Sequence, residues 1–267
     1  MFDHHTIIIA FVLTMIAGLS TGIGSLIALV ANRTNTKFLC VSLGFSAGVM
    51  LYLSFMEMLP AAREELRLCL GERTGTLSLI LAFFGGIGLT AMIDLLVPTM
   101  NNPHEVQSIE DMRKPGNLSL HRVGILVALS LAIHNFPEGI AAFTSALNGL
   151  SVAIPITIAI AVHNIPEGIA VSVPIYHATG SRRKAFWISF LSGLTEPLGA
   201  LIAYLFLMPF WSPLINGIVF ASVSGIMVYI SLDELLPTAE KYGEHHISIS
   251  GLIVGMIIMA LSLFLFI

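Results

Sequence analysis

Charged side chains are scarce in this 267-residue sequence, at 10% of all residues, whereas hydrophobic residues make up 56%. The mean hydropathy is +0.90, far outside the usage of soluble globular proteins. This balance indicates an integral membrane protein whose surroundings are the lipid bilayer, and no nucleic-acid partner is expected. With about 20 apolar residues needed for each crossing, residues 1–267 allow a single transmembrane domain of eight helices.

Cysteine is also nearly absent, since the chain holds only Cys40 and Cys69. Two isolated cysteines form neither a disulfide framework nor a CxxC metal site. A site without thiolate ligands is also unsuited to copper(I) or to a closed structural zinc site. Any metal chemistry is therefore expected to rest mainly on nitrogen and oxygen ligands.

Apolar windows separated by polar, glycine-containing breaks predict an all-α membrane protein. The one long polar connection covers residues 99–118. The predicted helices cover residues 5–31, 37–62, 75–98, 119–147, 150–178, 183–207, 213–238 and 248–267.

The 12 basic residues fall unevenly between the two sides of the predicted membrane. Three of them, Arg63, Arg67 and Arg73, lie on one side. The other nine are Arg33, Lys37, Arg113, Lys114, Arg122, Arg182, Arg183, Lys184 and Lys241. Because cytoplasmic loops are enriched in Lys and Arg, both termini are predicted to lie outside.

An internal repeat relates the two ends of the chain. Residues 47–62 align without gaps on residues 224–239, and residues 17–28 align on residues 192–203, at offsets of 177 and 175. The shift of five helices makes the copies antiparallel, as in the inverted repeats of secondary transporters. The predicted pseudo-repeats, about 5–98 and 183–267, enclose the central helices at 119–178.

Two copies of one hexapeptide stand in those central helices, HNFPEG at residues 134–139 and HNIPEG at residues 163–168. In each copy the His and Glu are four positions apart, which places both side chains on one face of a helix. Each copy also holds a proline, Pro137 or Pro166, which removes a hydrogen bond from the helix backbone. Ionisable side chains and unpaired backbone groups at membrane depth indicate a functional site or a polar cavity. If the helices are neighbours, six side chains form a metal site of nitrogen and oxygen ligands: His134, Asn135, Glu138, His163, Asn164 and Glu167.

Other candidate ligands follow from the repeat. Glu196 precedes a proline in the sixth helix, whereas its repeat mate Thr21 is neutral, so the sixth helix is predicted to complete the site from one side. Glu57 and its repeat mate Glu234 are predicted to lie at opposite mouths of one pathway. Met50 shares a helix face with Glu57, and two further carboxylates, Asp233 and Asp94, are candidates at the inner mouth.

These residues resemble the ZIP (Zrt-, Irt-like) family of divalent metal transporters, over essentially the whole chain. The resemblance implies a 3+2+3 inverted-repeat fold, outward termini, the inner (cell) membrane of a bacterium and metal uptake into the cytoplasm. It implies that four side chains hold the transported metal: His134, Glu138, His163 and Glu167. Asn135, Asn164 and Glu196 would serve a second, adjoining position, Met50 and Glu57 would lie near its outer side, and Asp94, Asp233 and Glu234 would mark the inner exit.

Several alternatives stay open at this point. The His and Glu side chains of the hexapeptides could instead form a buried hydrogen-bond network, and the asparagines could form interhelical hydrogen bonds. The carboxylates at the mouths could be ordinary helix caps. Met50 could have a packing role. A passive metal channel and an intramembrane metallohydrolase are the competing functions. The hydrolase is disfavoured, and no enzyme activity is expected, because an asparagine follows each histidine where HExxH has its catalytic Glu.

The transported ion is expected to be Zn²⁺. Nitrogen and oxygen ligands separate it poorly from Fe²⁺, Mn²⁺, Co²⁺ or Cd²⁺. The many small residues would suit a homodimer interface as well as packing within one chain.

Overall fold

The computed structural model describes residues 3–30, 36–96 and 135–265, and these ranges contain helices and no β-strand. The α-helices are α1 (His4–Val30), α2 (Thr36–Leu53), α3 (Leu59–Leu70), α4 (Glu72–Leu96), α5 (135–147), α6 (Leu150–Thr179), α7 (Arg182–Gly193), α8 (Thr195–Ile202), α9 (Pro213–Ile230), α10 (Leu236–Tyr242) and α11 (His245–Leu265). Three π-helical segments are described in these ranges. Ser54–Met58 joins α2 to α3, Ser231–Leu235 joins α9 to α10, and Ala203–Leu207, followed by a 3₁₀ turn at Met208–Phe210, extends α8.

Seven helical spans in the described ranges are long and apolar enough to cross a bilayer. The remaining predicted helix, residues 119–147, is described over 135–147 as α5. Large apolar side chains such as Phe84 on α4 and Leu261 on α11 are exposed, as expected where lipid replaces water. The predicted all-α, eight-helix membrane fold is confirmed.

The second predicted helix continues past residue 62 to Leu70 as α3. The charged stretch that suggests a break is the exposed face of an amphipathic helix, on which Arg67 pairs with Glu64 at 2.7 Å, while Leu66 is buried on the other face. The helix ends before Gly71, whose φ of 80° is the left-handed conformation that glycine adopts without strain.

The π-helical segments Ser54–Met58 and Ser231–Leu235 occupy repeat-related places in the two halves of the chain. Each is followed shortly by a proline, Pro60 or Pro237. Proline has no N–H, and its ring crowds the carbonyl four residues earlier, which here lies inside the π-helical segment. The widened turn accommodates that carbonyl, and each of these turns carries a carboxylate predicted at one mouth.

The helices form two groups that meet at α2 and α6. In one group α1 packs along α6, α7 and α8. In the other, α2 packs along α11, and α9 packs along α4 and α3. Contacts between α2 and α6 join the groups, so that the helix carrying the second hexapeptide lies against both.

Glycines at repeat-related positions lie at close helix crossings. A Cβ on Gly18 would lie 2.5 Å from the carbonyl oxygen of Gly193, and a Cβ on Gly193 would lie equally close to that of Gly18. Gly48 likewise abuts the backbone of α11, and its repeat mate Gly225 abuts that of α4. Small residues allow helix backbones to approach in a membrane, and here they do so at matching places in both halves.

Candidate metal site

The two hexapeptides lie on adjacent antiparallel helices. Residues 135–139 open the described part of α5, and residues 163–168 lie in the middle of α6. The turn between these helices is short because Gly149 has a φ of 111°, which side chains other than glycine rarely adopt. His134 lies outside the described residues, so its predicted role stays a prediction.

Three of the predicted ligands form a buried cluster. One ligand atom from each of Glu138, His163 and Glu167 lies within 4.8 Å of the others, and all three side chains are at most 1% exposed. The imidazole Nε2 of His163 is 3.0 Å from Glu138 Oε1, a contact between α6 and α5. The structure therefore brings Glu138 of the first hexapeptide together with His163 and Glu167 of the second.

The two hexapeptide asparagines are oriented in the same way. The Asn135 amide donates to the carbonyl of Ser192 at 3.4 Å, and the Asn164 amide donates to the carbonyl of Ala17 at 2.9 Å. These two acceptors are themselves repeat mates in the aligned stretches. Both Oδ1 atoms are buried and accept no hydrogen bond in the described part of the structure. In each asparagine the amide nitrogen is thus held by a backbone carbonyl, and the carbonyl oxygen Oδ1 is available to a cation.

Glu196 adds a fully buried carboxylate in the first turn of α8. Its Oε1 accepts a hydrogen bond from the Asn164 amide, so this carboxylate adjoins the second hexapeptide. The backbone of Glu196 also abuts Gly139, and the backbone of its repeat mate Thr21 abuts Gly168. Glu196 lies outside the cluster of Glu138, His163 and Glu167.

The outer candidates lie on the second span. Met50 is fully buried on α2, and Glu57 is half-buried in the π-helical segment Ser54–Met58. Glu57 belongs to no group of three close His, Cys, Asp or Glu side chains among the described residues.

The inner candidates are brought together around a tyrosine. The Tyr229 hydroxyl hydrogen-bonds to Asp233 and lies near the carboxylates of Asp94 and Glu234. Asp94 comes from α4, whereas the other three residues belong to one span. Tyr229 was not predicted, although its repeat mate Tyr52 marks the position in the aligned stretches.

A second unpredicted residue contacts the cluster itself. Ser46 Oγ on α2 donates to Glu167 Oε1 at 3.2 Å, and both residues are fully buried. The apolar sequence of α2 gives no indication of which face meets α6, so this contact needs the structure.

The cluster is suited to a divalent cation. A neutral imidazole with two carboxylates supplies the nitrogen and oxygen ligands that bind Zn²⁺ at about 2.0–2.2 Å. Two ionised carboxylates also balance the double positive charge, which would otherwise be prohibitively costly to bury. The geometry can therefore hold such an ion deep in the protein without thiolates.

Comparison with known proteins gives one consistent result. The family model described as ZIP Zinc transporter matches residues 4–116 and 101–263. "Zinc transporter ZupT" of Streptococcus mutans is 59% identical, with 97% of each chain covered, and "Zinc transporter ZupT" of Nitratidesulfovibrio vulgaris is 55% identical over the whole of both chains. The protein of that name from Clostridium perfringens is 55% identical, with 98% of each chain covered.

Proposed function

Since the chain belongs to the ZIP zinc transporter family and is a divalent metal transporter rather than an enzyme, we propose that it carries Zn²⁺ across the membrane at the buried cluster of Glu138, His163 and Glu167. The observation that carries this proposal is the convergence of these three ligands from α5 and α6 at one buried point. The relatives' printed name, "Zinc transporter ZupT", supports zinc as the substrate. His134, by its place in the first hexapeptide, would be the fourth ligand.

Uptake by the purified protein in proteoliposomes, followed with a zinc-sensitive dye inside the vesicles, tests the assignment. His163→Ala and Glu167→Ala are each expected to abolish saturable zinc uptake while eluting as folded protein in detergent. The matched control is His245→Ala, which removes an exposed imidazole paired with Glu240 at 2.5 Å, outside the cluster. Uptake that persists in His163→Ala at the level of the control would contradict the proposal.

A second, adjoining metal position is part of the same proposal. Glu196 with the carbonyl oxygens of Asn135 and Asn164 would form it, making the site binuclear. Support comes from the contact between Asn164 and Glu196 and from the two available Oδ1 atoms. Zinc stoichiometry measured by calorimetry should fall from two ions to one in Glu196→Ala.

Selectivity among first-row ions is expected to be modest, because nitrogen and oxygen ligands leave the general affinity order in control. Fe²⁺, Mn²⁺, Co²⁺ and Cd²⁺ are therefore proposed as further substrates. Competition of each ion with zinc uptake measures their order, and an ion without effect at large excess is excluded as a substrate.

The inverted repeat, with halves at about 5–98 and 183–267 around 119–178, is proposed as the architecture of the carrier. Its support is the pairing of repeat-related features: the π-helical segments, the crossing of Gly18 with Gly193, and the acceptors of the two asparagine amides. Met50 and Glu57 would then lie on the outer side of the pathway. The residues around Tyr229, namely Asp94, Asp233 and Glu234, would form the inner exit.

The protein is proposed to lie in the bacterial inner membrane with both termini outside. Cys69, exposed at the end of α3, would then face outward, whereas Cys40 is buried. A membrane-impermeant maleimide added to intact spheroplasts should label the wild-type protein and leave Cys69→Ser unlabelled. If Cys69 is labelled only after the membranes are broken, the proposed orientation is wrong and the termini face the cytoplasm.

A homodimer is proposed as the assembly, because the exposed apolar faces of the spans offer surface for a second copy as well as for lipid. Light scattering of the detergent-solubilised protein decides between one and two chains.

A further inference from the structure

Ser46 is held in place by the packing of α2 on α11. Gly44 and Gly48, one helical turn apart, lie against the backbone of α11 at Ser248 and Leu252, where a Cβ would collide with carbonyl oxygens. Ser46 lies between these glycines and contacts α6 instead, so it is fully buried. The close packing of α2 on α11 therefore fixes the position from which Ser46 reaches α6.

The hydrogen bond of Ser46 differs in its acceptor from those of Ser172 and Ser224, two other buried serines in the described spans. Ser172 and Ser224 each donate at 2.7 Å to the carbonyl four residues earlier in their own helix, which is the ordinary arrangement for a helical hydroxyl. Ser46 instead donates to the Glu167 carboxylate on another helix. A hydroxyl bound to an ionised group makes a stronger hydrogen bond than one bound to a neutral carbonyl.

The bond also joins the two helix groups at the metal cluster. The hydrogen bonds described for Asn135, Asn164 and Glu196 stay within the group of α1 and α5–α8, whereas Ser46 belongs to the group of α2 and α11. Extending the alignment of residues 47–62 by one position pairs Ser46 with Val223, which has no hydroxyl. This donor is therefore present on one side of the pseudo-symmetric helix pair.

We propose that Ser46 is a positioning residue for metal binding, which orients the Glu167 carboxylate toward the cation through the hydrogen bond between Ser46 Oγ and Glu167 Oε1. This inference rests on the proposed function of Glu167 as a ligand. A hydrogen bond to a ligating carboxylate restricts its rotation, so the ion meets an oriented ligand. The effect is on affinity for the ion, since the same oxygen donors remain.

The test compares the zinc dependence of uptake in Ser46→Ala with that in Ser224→Ala, which removes an equally buried hydroxyl bound within its own helix. Loss of a partner behind a metal ligand predicts a rise of roughly tenfold in the apparent KM of Ser46→Ala. The maximal rate should stay within about twofold, because binding of the ion is weakened equally before and during the transport step. Ser224→Ala should keep the wild-type KM.

Conservative replacement separates the hydrogen bond from packing. Ser46→Thr keeps the hydroxyl and should restore a KM near that of the wild type. If the added methyl group prevents folding, Ser46→Gly, which also lacks the hydroxyl but packs differently, should show the same raised KM as Ser46→Ala. Zinc calorimetry on the detergent-purified variants should follow the same order.

The outcomes distinguish this inference from the proposed function. An unchanged KM in Ser46→Ala, or a lower maximal rate at unchanged KM, overturns the role of Ser46 while loss of uptake in His163→Ala still supports the cluster. Uptake retained in His163→Ala overturns the cluster, and the role of Ser46 with it.

Discussion

Gly139 on α5 and Gly168 on α6 pack against the main chain of repeat-related residues, Glu196 and Thr21. The backbone around the first hexapeptide thus reproduces the backbone around the second. The side chains do not follow this symmetry. Glu196 supplies a carboxylate where Thr21 has a hydroxyl, and Ser46 supplies a donor where its repeat mate has none.

This difference separates two requirements of the molecule. Helix crossings need small residues at set places, because only these let the backbones of neighbouring helices approach closely. Binding a cation needs charge and oriented ligands, and both added groups act on the second hexapeptide, where Glu196 meets Asn164 and Ser46 meets Glu167. The backbone contacts of Gly139 and Gly168 are therefore matched, whereas both added side chains lie against the second hexapeptide.

The largest effect is expected from substitutions of the two hexapeptide glycines, which test whether their backbone contacts are equivalent. Gly168→Ala and Gly139→Ala each place a methyl group into a main-chain carbonyl, so each should lower stability by about 1–3 kcal/mol. Thermal unfolding in detergent measures both. Gly85→Ala is the control, because nothing lies within 4 Å of its Cβ, and its higher helix propensity should leave stability equal or raised. Widely different losses in the two hexapeptide variants would contradict the equivalence.

The next largest effect is expected in zinc affinity, when the charged Glu196 and its neutral repeat mate Thr21 are each replaced. Glu196→Gln removes a buried charge beside Asn164 and should weaken zinc binding at the proposed second position by at least the roughly 10- to 100-fold seen when a partner behind a metal ligand is removed. Thr21→Val keeps the size of the repeat-related side chain and should leave affinity near that of the wild type. Zinc calorimetry compares the two variants, and equal losses would mean that the asymmetry has no bearing on binding.

A smaller difference is expected between the asparagines. Asn164 donates both to the Ala17 carbonyl and to Glu196, whereas the donor bond described for Asn135 goes to the Ser192 carbonyl at 3.4 Å. Hydrogen bonds to charged groups contribute about 1.5–3 kcal/mol, more than neutral ones. Asn164→Ala should therefore raise the apparent KM for zinc more than Asn135→Ala does in the same uptake assay. The reverse order would place the dominant interaction on the first hexapeptide.

The smallest effect concerns Glu57 and Glu234, the carboxylates proposed to lie at the two mouths of the pathway. Glu234 has Asp233 beside it in its π-helical segment and Asp94 nearby, whereas Glu57 lies between two methionines. Glu57→Gln should slow uptake at low zinc by about twofold at low ionic strength, because a partly exposed carboxylate steers cations electrostatically, and Glu234→Gln should change it less. High salt should remove the difference through screening. A salt-independent loss would point instead to direct ligation by Glu57.

Sequence patterns predicted the all-α fold, and the antiparallel placement of neighbouring helices led to the predicted meeting of Glu138, His163 and Glu167. Contacts that depend on which face a helix presents to its neighbour were not predictable from the sequence. The side of α2 that contacts α6 cannot be read from a sequence that is apolar on every face, so Ser46 was missed. Tyr229 was missed because its partners come from both α4 and its own span, and no local spacing connects them.

The extent of the second span shows another limit. The charged residues of α3 look like a loop in a window of hydropathy, although they form one face of an amphipathic helix. Likewise, the prolines at 60 and 237 predict a disturbance, but whether the helix kinks, stops or widens into a π-helical turn depends on neighbouring helices.

The crossing of Gly18 and Gly193 has a consequence for how such a chain can change over generations. Each glycine occupies the place that a side chain on the other would need. Once one is enlarged and the helices have separated, enlarging the other costs less than it would alone, so the two substitutions are not additive. The two halves of the repeat therefore share one steric constraint, and neither can drift independently at that position.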